Sequence, residues 1–223
     1  MASSTYLNPV YKNSVNQRFR EKRFKFFLEL LNRVKTTDRP IRILDIGGLE
    51  IYWERMNYLG THDIHITLLN LEQKETKSPN VRSVKGNATD LSEYKDHEFD
   101  IVFSNSVIEH LYEKGNHRKM AKEAARVGKY YYIQTPNYYF PIEPHWLFPA
   151  FQWLPFSTRV WLTRKFDLGH YKKIPNRAAA EHLVSEINLI TEAEMKEMFP
   201  DGKVYREYFM GMKKSITMYR FPE

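Results

Sequence analysis

An acid followed by two glycines at the end of an apolar run is the first pattern in this chain able to do chemistry: Ile41-Arg-Ile-Leu-Asp-Ile-Gly-Gly48. A parallel strand buried on both faces reads as a continuous apolar run. Gly47 and Gly48 then remove the Cβ atoms that keep a ribose or phosphate away from the main chain. A cofactor loop is one reading, and a strand ending in a glycine turn is the other. Three more segments carry polar groups after stretches of strand character: Asn70-Leu-Glu72, Gly86-Asn-Ala-Thr-Asp90 and Ser104-Asn-Ser-Val-Ile-Glu-His110. An acid such as Glu72 can accept from two ribose hydroxyls, and Asn87 beside the Ala88 N–H can read an adenine edge. For proton removal the candidates are His110 and His145, with Glu109 or Glu143 to orient them; His110 also suits a cap or a packing position on the helix that follows. His62, His65, His97, His117, His170 and His182 are scattered without metal-ligand spacing, and the chain has no cysteine, so no metal is expected.

Positioning these groups calls for alternating strands and helices. Residues from about Val15 to Val34 read as an amphipathic helix that stops before Arg39-Pro40. Strands follow at Ile41 to Leu44, Ile64 to Leu69, Val81 to Val84, Ile101 to Phe103 and Tyr130 to Ile133, with helices at Ile51 to Tyr58 and about His117 to Val127. Thr191, with Glu194 in the capping-box position, opens a late helix to Phe199, and Lys203 to Phe209 and Ser215 to Phe221 close the chain as a strand pair. This order predicts an α/β fold: an open, mostly parallel sheet whose ligand lies outside the carboxyl ends of its strands, with an antiparallel pair at one edge and seven strands in all. Between Pro136 and Pro155 five prolines interleave with Tyr138, Tyr139, Phe140, Trp146, Phe148, Phe151 and Trp153. Such a segment is a rigid, aromatic cover over a pocket, or else an insertion packed on the sheet edge or a dimer contact.

The strand and loop Phe99-Asp-Ile-Val-Phe-Ser-Asn-Ser-Val-Ile-Glu-His-Leu111, together with Gln134-Thr-Pro-Asn-Tyr-Tyr-Phe-Pro-Ile-Glu-Pro-His145, is similar to the class I S-adenosylmethionine-dependent methyltransferases, in a bacterial branch. The resemblance runs over about residues 41 to 221. It implies a Rossmann-like three-layer sandwich with a reversed final strand in one domain: tail and helix over 1–40, cofactor core over 41–135, cover over 136–175, and helix and strand pair over 176–223. It places the methionine part of the cofactor at Asp45, Gly47 and Gly48, the ribose at Asn70, Leu71 and Glu72, and the adenine at Asn87 and Ala88, with Ser104 and Asn105 beside them. Leu49 and Ile51 stand where the family has small residues. Asn70 or Glu72 fills the place of the strand-two acid, and Asn87 replaces the acid after strand three, with Asp90 as a second candidate. Acceptor contacts fall to Asn137, Tyr138, Tyr139 and Trp146, and the catalytic base to His145 or His110.

A dinucleotide would need a phosphate turn at a helix N-terminus, where this chain offers Glu50 and bulky side chains; a cationic sulfonium meets no such repulsion. The net charge of +7 permits nucleic acid, anionic lipid or phosphorylated partners. Much of it falls in Arg18-Phe-Arg-Glu-Lys-Arg-Phe-Lys25, where it reads as the solvated face of the first helix. No segment is long and apolar enough to span a membrane, and Met1-Ala-Ser-Ser-Thr5 lacks signal-peptide character, so a cytoplasmic location is expected. The expected activity is methyl transfer to an oxygen or nitrogen of a small molecule: a natural product, sugar or lipid-linked precursor. A homodimer is possible and a nucleic-acid partner is disfavoured. The alternatives are an RNA methyltransferase using the basic helix and a non-catalytic, cofactor-binding partner subunit.

Overall fold

The computed structural model describes residues 15–35, 38–60, 63–113 and 115–223. The N-terminal tail and His62 lie outside the described residues. The chain divides into two compact units, one of residues up to Glu29 with Pro141–Val184, the other of Leu30–Phe140 with Ser185–Glu223. The first helix, α1 (Val15–Val34), begins in one unit and ends in the other.

The larger unit is built on β1 (Ile41–Ile46), β2 (Ile64–Asn70), β3 (Val81–Lys85), β4 (Phe99–Asn105) and β5 (Gly128–Pro136), with β8 (Lys203–Phe209) and β9 (Met212–Arg220) after the cover. Their order is β3-β2-β1-β4-β5-β9-β8. The first five run parallel, and β9 is antiparallel to both neighbours. This is the expected α/β sheet of seven strands, mostly parallel, with a reversed last strand. Strand order reverses between β1 and β4, so the crevice that such a sheet opens to a ligand lies at their carboxyl ends.

Period-two alternation separates the two faces. Leu44, Ile46, Val102, Tyr131 and Ile133 turn to one side and pack with Met120, Ala121, Ala124 and Val127 of α3 (Asn116–Val127) and Met195 of α6 (Glu192–Met198). Phe103 and Tyr132 turn to the other. They stack at 5.4 Å, with Trp53 of α2 (Glu50–Arg55) 5.3 Å from Phe103. Thr191 and Glu194 close the capping box at the head of α6 as its spacing requires.

The strands run longer than their apolar runs because paired neighbours carry the ladder past the last apolar residue. β5 begins at Gly128, directly after α3, where a Cβ would stand 2.7 Å from the Tyr130 carbonyl and from Val102. It reaches Pro136, the last residue of the pair with β9, where a missing N–H costs least.

The smaller unit has the hairpin β6 (Ile142–Glu143) and β7 (Phe148–Pro149), a 3₁₀ turn at Phe151–Trp153, α4 (Phe156–Lys165) and most of α5 (Arg177–Ser185). Neither helix was expected from the sequence, although Ala180, Leu183 and Val184 of α5 are buried at helical spacing. Pro155 stands just before α4, a position where its fixed φ opens a helix rather than breaking it. Trp146 is the centre of this unit. It is buried, stacked on Phe151 at 4.4 Å, and donates from Nε1 to Thr163 Oγ1 at 3.1 Å.

Candidate functional site

Four loops leave the carboxyl ends of β1 to β4, and the sequence candidates for cofactor binding lie on or beside them. The first loop is held from several directions. Gly47 donates its N–H to Leu69 O at 2.8 Å, and Asn70 Nδ2 donates to Gly48 O at 2.8 Å. Gly47 has φ +72°, and a Cβ there would lie 2.5 Å from a methyl of Val107, so glycine is required both by conformation and by the close approach of the β4 loop. A Cβ on Gly48 would fall 1.8 Å from Asp45 Oδ2: the carboxylate lies directly against this backbone.

Asp45 is 1% exposed, and its Oδ2 accepts from Trp53 Nε1 at 2.8 Å. Burial pushes the carboxyl up to about 7, opposed only in part by the Trp53 hydrogen bond. Near neutral pH the loop therefore carries an acid that is poised to ionise when a cation arrives. At the head of α2, Glu50 accepts from the backbone N–H groups of Lys77 and Ser78. These bonds outweigh the upward push of burial and hold its carboxyl below the usual range. A fixed anion thus occupies the helix N-terminus that a dinucleotide phosphate would need.

After β2, Asn70 is half-buried and its amide is taken by the glycine loop, while Leu71 and Glu72 are exposed. After β3, Asn87 Oδ1 accepts from both the N–H and the hydroxyl of Thr89. The Asn87 carbonyl is thereby used within the loop, which leaves its amide nitrogen as the group to read an adenine edge. The Ala88 side chain packs into the core, and Asp90 accepts from Ser92 N. After β4, Ser104 is fully buried with its hydroxyl on Ile46 O, so it ties β4 to β1 from inside the sheet. Asn105 is half-buried at the strand end. Ser106, with φ +58°, turns the chain and binds Gln134 through Oγ. His110 ends the short 3₁₀ turn that follows, in which Glu109 is buried and accepts from Thr135 Oγ1 at 3.1 Å.

Of the acceptor candidates, Asn137 is 4% exposed and donates to Lys213 O, which makes it a clamp between β5 and β9. Trp146 is a core residue of the smaller unit, with its N–H on Thr163. Tyr138 and Tyr139 pack edge to face at 5.2 Å, and Tyr139 is 65% exposed. In the smaller unit, His145 Nδ1 lies 2.7 Å from Glu143 Oε1, while Glu143 Oε2 accepts from the backbone N–H groups of His145 and Trp146. The Glu143 carboxylate, 1% exposed and held by two backbone N–H groups, fixes the imidazole beside it.

Sequence reasoning missed Trp53, the donor to Asp45, and Val107, which closes over Gly47. A signal for the first was present. Trp53 is the one tryptophan between positions 41 and 135, and a buried indole N–H needs an acceptor.

A family model described as methyltransferase domain matches residues 48–130. Among solved structures, a SAM-dependent methyltransferase from Aquifex aeolicus is similar with a TM-score of 0.51 and 13% identity, over 91% of this chain and 90% of that one. The PH0226 protein from Pyrococcus horikoshii OT3 gives 0.53 and 16%, over 94% and 93%. The CurJ carbon methyltransferase gives 0.57 and 11%, over 94% of this chain and 56% of its own. At such identities the likeness concerns the fold. No curated protein matches the chain by sequence.

Proposed function

We infer that this chain is a class I S-adenosylmethionine-dependent methyltransferase that methylates an oxygen or nitrogen of a small molecule, a reading supported by the methyltransferase-domain match over residues 48–130 and by the sheet. The observation that supports the reading is the buried Asp45 carboxyl against Gly48, an acid able to ionise toward a cation, with Glu50 fixed on α2 in place of a phosphate cradle. The residues present fit a cationic cofactor and repel a pyrophosphate. When bound, S-adenosylmethionine supplies a methyl group on positively charged sulfur and leaves as S-adenosylhomocysteine.

In this reading Asp45, Gly47 and Gly48 hold the methionine end. Asn70, Leu71 and Glu72 flank the ribose, and Asn87 and Ala88 meet the adenine through the Asn87 amide and the Ala88 main chain. Ser104 and Asn105 support the loop from β4. Asp45 gives up its proton as positive charge approaches, because the cation offsets the cost of ionising in a buried place. His145, held by Glu143, is the group of this chain built to remove a proton from an acceptor hydroxyl or ammonium, and Tyr138 and Tyr139 offer rings and hydroxyls to an acceptor.

Calorimetry across pH tests the cofactor site. Affinity rises about tenfold from pH 6 to the plateau above pH 7, with release of a proton near neutrality, as expected for an acid of pKa about 7 that must ionise. A flat profile overturns the role of Asp45. For the acceptor, the purified chain is incubated with methyl-labelled cofactor and a cell extract divided into small-molecule and RNA fractions. Label is expected in the small molecules; label in RNA supports the nucleic-acid alternative, and no transfer supports a non-catalytic subunit.

A further inference from the structure

Helix α4 is apolar on two sides. Val160 and Thr163 face the interior of the smaller unit, at 5% and 1% exposure. On the outward side Trp161 is 51% exposed, with Lys165 one turn further on, and the ring of Phe166, 48% exposed, meets Trp161 edge-on at 5.7 Å. Just before them Trp153 and Phe156 are also largely exposed, with the Arg159 guanidinium 5.7 Å from the Phe156 ring. A monomer that lives wholly in water has no use for four large rings exposed between positions 153 and 166.

Charge selects what covers them. From Trp153 to Arg177 the cations are Arg159, Arg164, Lys165, Lys172, Lys173 and Arg177, against Asp167 alone. Asp167 is itself held by Lys172 Nζ and the Lys173 N–H. A second copy seated on this face by two-fold symmetry would set cations against cations. A single-stranded nucleic acid would stack bases on a run of ring faces, whereas Trp161 and Phe166 meet edge to face rather than forming a parallel platform, and binding to such a strand is one outcome of the test below. Tryptophan and phenylalanine amid lysine and arginine match the boundary between anionic headgroups and acyl chains. Among the described residues no helix is long and apolar enough to cross a membrane, so the attachment is peripheral.

We propose that this face docks the protein on an anionic phospholipid bilayer, with Trp161 and Phe166 entering the headgroup–acyl boundary and Lys165 and Lys173 meeting lipid phosphates. The proposal is independent of the methyl-transfer reading.

The test uses the full chain and vesicles of phosphatidylcholine alone or mixed with phosphatidylglycerol, with co-sedimentation and tryptophan fluorescence as readouts. Wild type binds the anionic vesicles with a blue-shifted emission, binds neutral vesicles weakly, and is released by salt. W161A/F166A lowers affinity for the anionic vesicles about tenfold or more. K165E/K173E, which leaves every ring in place and guards against misfolding of the first variant, lowers it about twentyfold or more. The idea falls if wild type ignores anionic vesicles, or if both double variants bind them as wild type does. It falls equally if the same substitutions abolish binding to a single-stranded RNA or a concentration-dependent dimer while vesicle binding is unchanged.

Discussion

Asp45 meets the glycine loop with its carboxyl raised to about 7 by burial, and this fixes the sign of its effect on stability. The unfolded chain loses that proton near the ordinary aspartate value of 3.8, while the folded chain keeps it until about 7. The contribution of Asp45 is therefore most favourable below the lower value, declines as pH rises through this window, and levels off above it. Asp45→Asn keeps an acceptor for Trp53 Nε1 and removes the charge. Thermal melts should show the variant more stable than wild type by about 1–3 kcal/mol near pH 8, with little difference near pH 4. A variant that is less stable at both values would mean that the carboxylate is compensated in the fold. His145→Ala is expected to lower kcat about 10²–10⁴-fold while the calorimetric affinity for the cofactor holds, and Glu143→Gln to give a smaller loss through misorientation of the ring. An unchanged rate in His145→Ala would leave His110 as the remaining histidine proposed for the base.

Among the elements, β1 is fixed at both ends by acids with opposite fates. At its carboxyl end Asp45 is buried with one donor. At its amino end Arg39 forms paired 2.6 Å hydrogen bonds with Asp100 of β4, which also accepts from the Arg42 N–H. Burial alone would raise the Asp100 carboxyl, but Arg39, the Arg42 N–H and Lys129 bring it down to about 2. Its stabilisation is present above the ordinary aspartate pKa and is lost as pH falls toward 2. Asp100→Ala should cost about 1–2 kcal/mol in urea unfolding at neutral pH, chiefly because it removes the acceptor of the Arg42 N–H, the exposed Arg39 being able to turn to solvent; a cost near zero would show that solvent replaces the pair. On the loop, Gly48→Ala must displace the Asp45 carboxylate and Gly47→Ala must push away Val107 in an unfavourable φ. Both should lower cofactor affinity at least tenfold by calorimetry. In the Gly47 case the added bulk strikes Val107, so Val107→Ala should restore part of the loss; a full absence of rescue would assign the effect to φ alone.

For the molecule as a whole, one sheet rim collects loops from four strands that are distant in sequence, and a ligand there should tie them together. At a hundredfold excess over Kd the cofactor should add about 2.7 kcal/mol to the stability of the larger unit. Hydrogen exchange should then slow at residues 45–49, 69–72 and 86–89 together. Protection confined to residues 141–184 would move the site off the rim. In the smaller unit six lysines and arginines and one aspartate fall between positions 153 and 177, the stretch that also carries the four exposed rings.

The alternation of apolar runs with glycine, asparagine and acidic punctuation was enough to find β1 to β5 in chain order, to set α3 and α6, and to place the final strand pair, because side-chain period and turn punctuation are local properties. Positions 45, 47, 48, 70 and 87, named from the sequence as cofactor candidates, lie in the structure at or just past the carboxyl ends of β1, β2 and β3. What each side chain does there depends on neighbours that are remote in sequence, and only folding brings these together. Trp53 gives Asp45 its single donor, Val107 closes on Gly47, Thr89 takes the Asn87 carbonyl, and Thr163 turns Trp146 from a proposed acceptor contact into the core of its unit. Hydrogen-bond partners and burial are set by tertiary packing, so residue type and spacing name the candidates and the packed structure assigns their work.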